Sequence, residues 1–194
     1  MLLAIDTSAG TSLALVSEHG ELIAQAETAD TMRHAEAIGS FLAELRPAER
    51  GVNGVVVGVG PGPFTGLRVG IAAARGYAWG SQLPLLPVLS HDAAALAAYR
   101  ATAEPAQTSL TISTDARRRE YFCTRYLGLV DGVPVRAGGP EISAEPGSEL
   151  SASIHAADLA LVAIARRAAG LPLDAAEAVY LRSPDVTLRP TVTR

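Results

Sequence analysis

Gly60, Gly62 and Gly66 sit in the stretch GVGPGPFTGLRVG (58–70), between the apolar run Val55, Val56, Val57 and a helix-like segment. Glycines in such a turn reach backbone conformations closed to other residues, and a helix starting near Thr65 would aim free N–H groups at an anion. That is the chemistry of a phosphate cradle. The chain contains no lysine, however, which excludes a P-loop lysine, a Schiff base and a Ser–Lys dyad. Asp6 and Asp115 each end a predicted first strand, where a carboxylate facing a cleft between two lobes holds magnesium or positions a phosphate. The alternative for each is a turn cap. Thr7 and Ser8 beside Asp6, together with Thr65, complete this candidate nucleotide cleft.

The remaining reactive side chains offer less. His19, His34, His91 and His155 contain no pair spaced three or four apart, so no helical His-x-x-x-His metal site is expected. Cys123 is the only cysteine, which excludes an internal disulfide and a multi-cysteine zinc site and points to a buried, idle thiol. No G-x-S-x-G elbow is present, and no catalytic residue is identified. Net charge is −4, with sixteen arginines against twenty carboxylates, so the whole chain lacks the basic footprint of an independent nucleic-acid binder. Only Arg117, Arg118 and Arg119 form a basic run: a solvated turn or strand edge, or a local contact to RNA or an acidic partner. No stretch reaches the roughly eighteen apolar residues of a membrane span, and MLLAI runs into Asp6 without a basic n-region. A cytoplasmic protein without a membrane anchor is expected.

The elements that must position these groups follow from periodicity. LLAIDTS, TSLALVS and ELIAQAET read as three short strands joined by hairpin-length turns. Ala35, Ile38, Leu42 and Leu45 recur at helical spacing between Met32 and Arg46, where Pro47 ends the run. GVVVGV is a central strand, Thr65 a candidate N-cap for a helix through Trp79, and LPLLPVLS a further apolar segment before a helix from His91 to Arg100. The opening pattern then recurs as SLTISTDA, REYFCTRYLG and GVPVRAGG. After an irregular loop, GGPEISAEPGSEL, come a helix from Ile154 to Ala169, a strand-like AVYLR and a polar tail. Repeated meander-plus-helix units predict an α/β protein of two similar lobes, 1–101 and 102–194, joined by TAEPAQ (102–107). Four glycines in the helix from Gly66 to Gly80 each cost about 1 kcal/mol relative to alanine. Gly66, Gly70, Ala73, Tyr77 and Gly80 share one face, which suits close packing within the lobe or against a partner.

AIDTS, RHAE, VGVGPGPFTGLRVG, DARRREYF and AVYLR, spread over nearly the whole chain, resemble the TsaB (YeaZ-like, M22 glycoprotease-like) family of bacterial tRNA threonylcarbamoyladenosine biosynthesis proteins. The resemblance implies a duplicated actin-like, ribonuclease-H-like (ASKHA) fold with mixed sheets flanked by helices. It also implies a non-catalytic subunit. Such a subunit pairs with TsaD, the catalytic subunit that modifies A37 of ANN-decoding tRNAs, is joined by the ATPase TsaE, and forms a homodimer when alone. The family pairs through helices of the first lobe, which makes Arg33, His34, Ile38, Phe64, Gly66, Arg68, Gly70, Ala73 and Tyr77 the expected interface. A bulky residue at Gly70 is then expected to break pairing and spare the fold. Catalytic relatives carry His-x-x-x-His on the helix after the second apolar strand; here His91 has Ala95 four residues on, so no catalytic metal is expected. The same resemblance implies that no cofactor is held tightly, that ATP or ADP with magnesium enters only in the complex, and that tRNA is met through the complex. The second lobe is short for the family. Two other readings compete: an ATP-dependent small-molecule kinase or ATPase of the same fold, and a metallopeptidase, which lacks its metal pair.

Overall fold

The computed structural model describes residues 1–181. Its first sheet has the order β3-β2-β1-β4-β5, built from β1 (Leu2–Asp6), β2 (Thr11–Val16), β3 (Leu22–Thr28), β4 (Gly54–Gly58) and β5 (Leu85–Val88). The meander β1–β3 is antiparallel, whereas β4 and β5 join parallel to β1. Between them run the helices α1 (His34–Leu45) and α2 (Phe64–Gly80), and α3 (Ser90–Arg100) follows β5. The second sheet repeats the plan in reduced form: β6 (Leu110–Asp115), β7 (Tyr121–Val130) and β8 (Val133–Arg136) form the meander. β9 (Glu141–Ser143) and β10 (Glu149–Leu150) lie within GGPEISAEPGSEL, which is therefore not wholly irregular. β10 pairs parallel with β6 as β4 does with β1, and α4 (Ala156–Ala168) is the last helix or strand among the described residues.

Strand alternation splits the buried side chains of the first sheet between two cores. Leu3, Ile5, Leu13, Leu15, Val55 and Val57 pack under α1 and α2 with Ile38, Leu45, Leu67 and Ile71. Leu2, Ala4, Val16 and Val56 face the other way and pack with Leu96, Leu159 and Val162, and this second core continues to Ile112 and Tyr126 of the second sheet. The helices cross over. α3, from the first half of the chain, lies on the second sheet, and α4, from the second half, returns to the first. Burial of the first sheet on both faces explains why β1, β2 and β4 read as near-continuous apolar runs.

Three consecutive polar residues at the start of α3 hold the two sheets together. Ser90 donates from Oγ to Asp6 Oδ2 at 2.6 Å, and its Oγ and N contact Gly60 N and O at 3.0 and 2.7 Å. His91, fully buried, places Nδ1 2.8 Å from Thr124 Oγ1 and Nε2 2.9 Å from Thr114 Oγ1. A neutral ring, one nitrogen donating and one accepting, fits two hydroxyls that can each do either. Asp92 accepts from Tyr126 and Arg136 of the second sheet. Arg136 also grips Asp174 with two 2.8 Å bonds, and Asp174 accepts from Arg166 of α4 and from Leu89 N. Burial alone would raise the Asp174 carboxyl, but hydrogen bonds from Arg136 and the charges of Arg136 and Arg166 hold it below the usual carboxylate range.

Beyond α4, AVYLR is not a strand in its described part. Residues 174–181 instead cross the ends of β4 and β5 as an irregular strap, with Asp174 N on Pro87 O, Val179 N on Val59 O and Arg75 donating to Ala176 O. A single ladder bond at Val179 does not propagate a strand. Arg182 and the polar tail lie outside the described residues. Among the described residues no helix is long and apolar enough to cross a membrane.

Two outcomes follow from the polar junction. Arg136→Met leaves the buried Asp92 and Asp174 with Arg166 as their one remaining cation, so urea unfolding should show a loss of about 3 kcal/mol at an unchanged slope. Burial pushes the His91 imidazole from 6.5 down to about 3. The unfolded chain then binds the extra proton between those values, and stability is full above pH 6.5 and falls as pH drops through the window, by up to about 1.4 kcal/mol per pH unit. The stability profile of His91→Gln should lack that slope, and the difference between the two profiles isolates it from carboxylates titrating nearby.

Candidate functional site: an interlobe cleft and an open helix face

The glycine turn is not an open cradle. Val59, Gly60, Pro61 and Gly62 are all buried, and the Gly60 amide is already satisfied by Ser90 Oγ. Gly60 takes φ +99° after a β-region approach, and a Cβ on Gly62 would meet Ser8 Cα at 2.8 Å. Glycine is required here for close approach to the β1–β2 turn rather than for a ligand. Pro63, extended at φ −60° and ψ 135°, is the residue before α2, so the helix starts at Phe64 and Thr65 is its second residue, not its N-cap. Thr7 Oγ1 donates to Gly66 O at 2.8 Å, tying the helix start to β1.

Asp6 and Asp115 do end matching strands, yet they differ in environment. Asp6 is 2% exposed and accepts from Ser8 N, Ser8 Oγ and Ser90 Oγ at 2.8, 2.5 and 2.6 Å. Burial raises its carboxyl above the usual range against the opposing bonds from Ser8 and Ser90. Gly58 is the residue that admits it: a Cβ there would fall 1.8 Å from Asp6 Oδ2. Asp115 is exposed and accepts from Arg117 N at 2.8 Å. It lines a cleft of about 350 Å³ between the lobes with Ser8, Thr31, Arg117, Tyr121 and Ser151. Of the two carboxylates only Asp115 lines the cleft; Asp6, Thr7, Gly60 and Gly62 are buried and do not line it. A magnesium nucleotide needing two carboxylates does not fit this donor set. Among the described residues no group of three or more His, Cys, Asp or Glu side chains could hold a metal ion. Cys123 is buried, 3.3 Å from Ser113 Oγ.

The residues expected at a partner interface divide by side. His34 is buried with Nδ1 2.8 Å from Thr11 Oγ1; burial lowers its imidazole, opposed by the charges of Asp30 and Asp6. Ile38 is core. Added Cβ atoms on Gly66 and Gly70 would meet Thr7 O at 2.7 Å and Thr7 Oγ1 at 2.1 Å. These four positions pack within the lobe, the first of the two readings of the glycine face, and the contact of Gly70 with Thr7 leaves no room for the bulky residue expected there to spare the fold. Arg33 and Arg68 are exposed, and Phe64, Ala73 and Tyr77 are half-buried. Phe64 stacks on Tyr180 of the strap with centroids 4.8 Å apart, and the Arg68 guanidinium lies 4.5 Å from the Phe64 ring centre.

Sequence periodicity missed the side of α2 that is open. Gly76 and Gly80 of α2 and Gly39 of α1 have nothing within 4 Å of an added Cβ. Trp79 is 88% exposed and Met32 86%. A lone tryptophan amid alanines and glycines, followed by Gly80, was the available signal. A second groove of about 430 Å³, lined by Met32, Arg33, Thr65, Val69 and Arg117, separates the starts of α1 and α2.

The basic run is a turn of unusual backbone. Arg117, Arg118 and Arg119 take φ of 64°, 58° and 62°, a left-handed conformation that costs each non-glycine residue roughly 1–2 kcal/mol. The hairpin bond Ala116 N to Glu120 O and the Asp115 cap hold the turn, and Arg117 reaches Thr31 Oγ1 at 3.1 Å. All three arginines are exposed.

A family model described as TsaD: tRNA N6-adenosine threonylcarbamoyltransferase matches residues 24–134, a span from β3 to β8 that holds the glycine turn, the junction at Ser90 to Asp92 and the arginine turn. An uncharacterized protein of Mycobacterium tuberculosis is 36% identical, with 82% of this chain and 76% of that one aligned. The tRNA threonylcarbamoyladenosine biosynthesis protein TsaB of Haemophilus influenzae is 34% identical, with 65% of this chain and 53% of that protein aligned. Among solved structures, YeaZ from Pseudomonas aeruginosa shares the two-lobed actin-like architecture at a TM-score of 0.68 and 28% identity, over 93% of this chain and 99% of that one. On the family model over more than half of its length, the similarity to the Mycobacterium tuberculosis protein and the shared architecture of YeaZ, the chain belongs to the TsaB/YeaZ-like (M22 glycoprotease) family, close relatives of the TsaD threonylcarbamoyltransferases.

Proposed function

We propose that this chain is the non-catalytic subunit of a complex that makes threonylcarbamoyladenosine at A37 of ANN-decoding tRNAs. It pairs with a TsaD-like catalytic subunit through the open edges of α1 and α2, is joined there by a TsaE-like ATPase, and forms a homodimer when the catalytic partner is absent. ATP or ADP with magnesium belongs to the complex rather than to this chain alone. The names of its relatives support the pathway, and the open helix face supports the pairing. Gly39 and Gly76 each cost about 1 kcal/mol relative to alanine in an exposed helix, and no neighbour among the described residues requires them. Beside them stands an almost fully exposed tryptophan. A second helix pair packing there needs small residues for close approach and a large aromatic anchor. The non-catalytic role is supported by the polar groups themselves, since Asp6 and His91 are both consumed by internal hydrogen bonds.

Two glycine variants separate pairing from folding. Gly76→Leu adds a good helix former in open space, so thermal stability should hold while affinity for the TsaD-like subunit, read by size exclusion and titration, drops at least about tenfold. Gly70→Leu should instead lose about 1–3 kcal/mol or more through its clash with Thr7. Incorporation of labelled threonine into unmodified tRNA by the adenylate-forming enzyme, TsaD and TsaE should require this chain. Undiminished incorporation without it would overturn the proposal and return attention to a kinase or ATPase, for which calorimetry with magnesium-ATP is the direct measurement.

A further inference from the structure

The arginine turn is used by neither the polar junction nor the open helix face. It stands at the mouth of the interlobe cleft, where Arg117 lines both the cleft and the groove between α1 and α2. Three successive left-handed arginines, all exposed, share a tight hairpin whose backbone is fixed by Asp115, and Arg117 also donates to Thr31 Oγ1. Guanidinium forks match phosphate oxygens in a way that a point charge does not. In a chain with no lysine and a net charge of −4, this concentrates positive charge at one spot. Behind the turn the cleft is lined by the half-buried Tyr121, by Leu150, and by Thr31 and Ser151, whose hydroxyls bond to Arg117 and Ser153 O and keep acceptor or donor capacity to spare. A basic turn beside an aromatic ring in a hydroxyl-lined slot suits an unpaired base with flanking backbone phosphates.

We infer that the Arg117–Arg119 turn and the adjoining cleft form a direct contact for single-stranded RNA, taking the sugar-phosphate backbone on the arginines and one unstacked base against Tyr121. The inference rests on the proposed role in tRNA modification and deepens it, by giving this chain its own contact with the nucleic acid. An extended polyanion is favoured over a free magnesium nucleotide because Asp6, the second carboxylate such a ligand would use, is closed off by Ser8 and Ser90.

The test uses the full chain paired with its TsaD-like subunit and a fluorescein-labelled, unmodified ANN-decoding tRNA transcript, titrated by anisotropy at several salt concentrations. Arg117, Arg118 and Arg119 are replaced together by asparagine, which tolerates the left-handed backbone. Expected are a loss of affinity of about tenfold or more and a salt dependence shallower by about one unit of slope per phosphate contact removed. Tyr121→Ala should weaken binding with the slope unchanged. Unaltered affinity and slope in the triple variant, with pairing intact by size exclusion, would overturn the inference and leave the proposed function standing. Failure of the wild-type chain to pair at all would instead overturn that function. Displacement of the tRNA by millimolar magnesium-ATP would assign the cleft to a free nucleotide, and loss of pairing in the triple variant would assign the turn to a protein; either result overturns the RNA contact.

Discussion

Three buried polar side chains in a row fix how the two lobes meet. Ser90 turns toward the first lobe, to Asp6 and the glycine turn, while His91 and Asp92 turn toward the second, to Thr114, Thr124, Tyr126 and Arg136. Side chains at successive positions of a helix start diverge by about 100°, so three neighbours can reach three different elements. Each is paired, as buried polar groups must be. The arrangement supplies geometric specificity: apolar packing between α3, α4 and the sheets would tolerate sliding, whereas hydrogen bonds of fixed length do not. It also explains why Asp6 does not line the cleft. The carboxylate that ends β1 is spent on holding α3.

Much of the fold was legible because the physics was local. Alternating apolar residues marked the strands of both meanders, and 3.6-residue spacing marked α1 and α4 to within two or three residues. The matching ends at Asp6 and Asp115 gave the repeat. What the chain did not disclose depended on partners distant in sequence. Ser90, His91 and Asp92 read locally as a polar helix start, since the threonines and the arginine that bury them come more than twenty residues later. Spacing placed Gly66, Gly70, Ala73 and Tyr77 on one face of α2 without saying which way that face points, and the contacts with Thr7 and His34 turn its first two glycines inward. The short strands β9 and β10 sit among glycines and prolines that mask any alternation, and AVYLR has strand-like alternation without a neighbour to extend it.

The glycines of α2 thus fall into two populations that composition alone cannot separate. Gly66 and Gly70 are required by the lobe's own interior, and Gly76 and Gly80 by nothing among the described residues. The first pair lets the helix start lie close on β1 and fixes its direction. The second pair leaves the far half of the helix smooth on the side away from the core. One helix therefore serves as internal wall at its beginning and as external surface at its end.

The return of α4 to the first sheet carries a consequence for how such a chain can be divided. Leu159 and Val162, encoded in the second half, complete the apolar layer under Leu2, Ala4 and Val56 of the first, while α3, encoded in the first half, covers the second sheet. A chain cut in the stretch between α3 and β6 would yield two fragments, each missing the helix that seals its sheet and each holding the helix the other needs. The two halves descend from a repeated plan but are no longer interchangeable modules; they are complementary pieces of a single cooperative unit, in the manner of a split protein whose parts acquire structure only by finding one another.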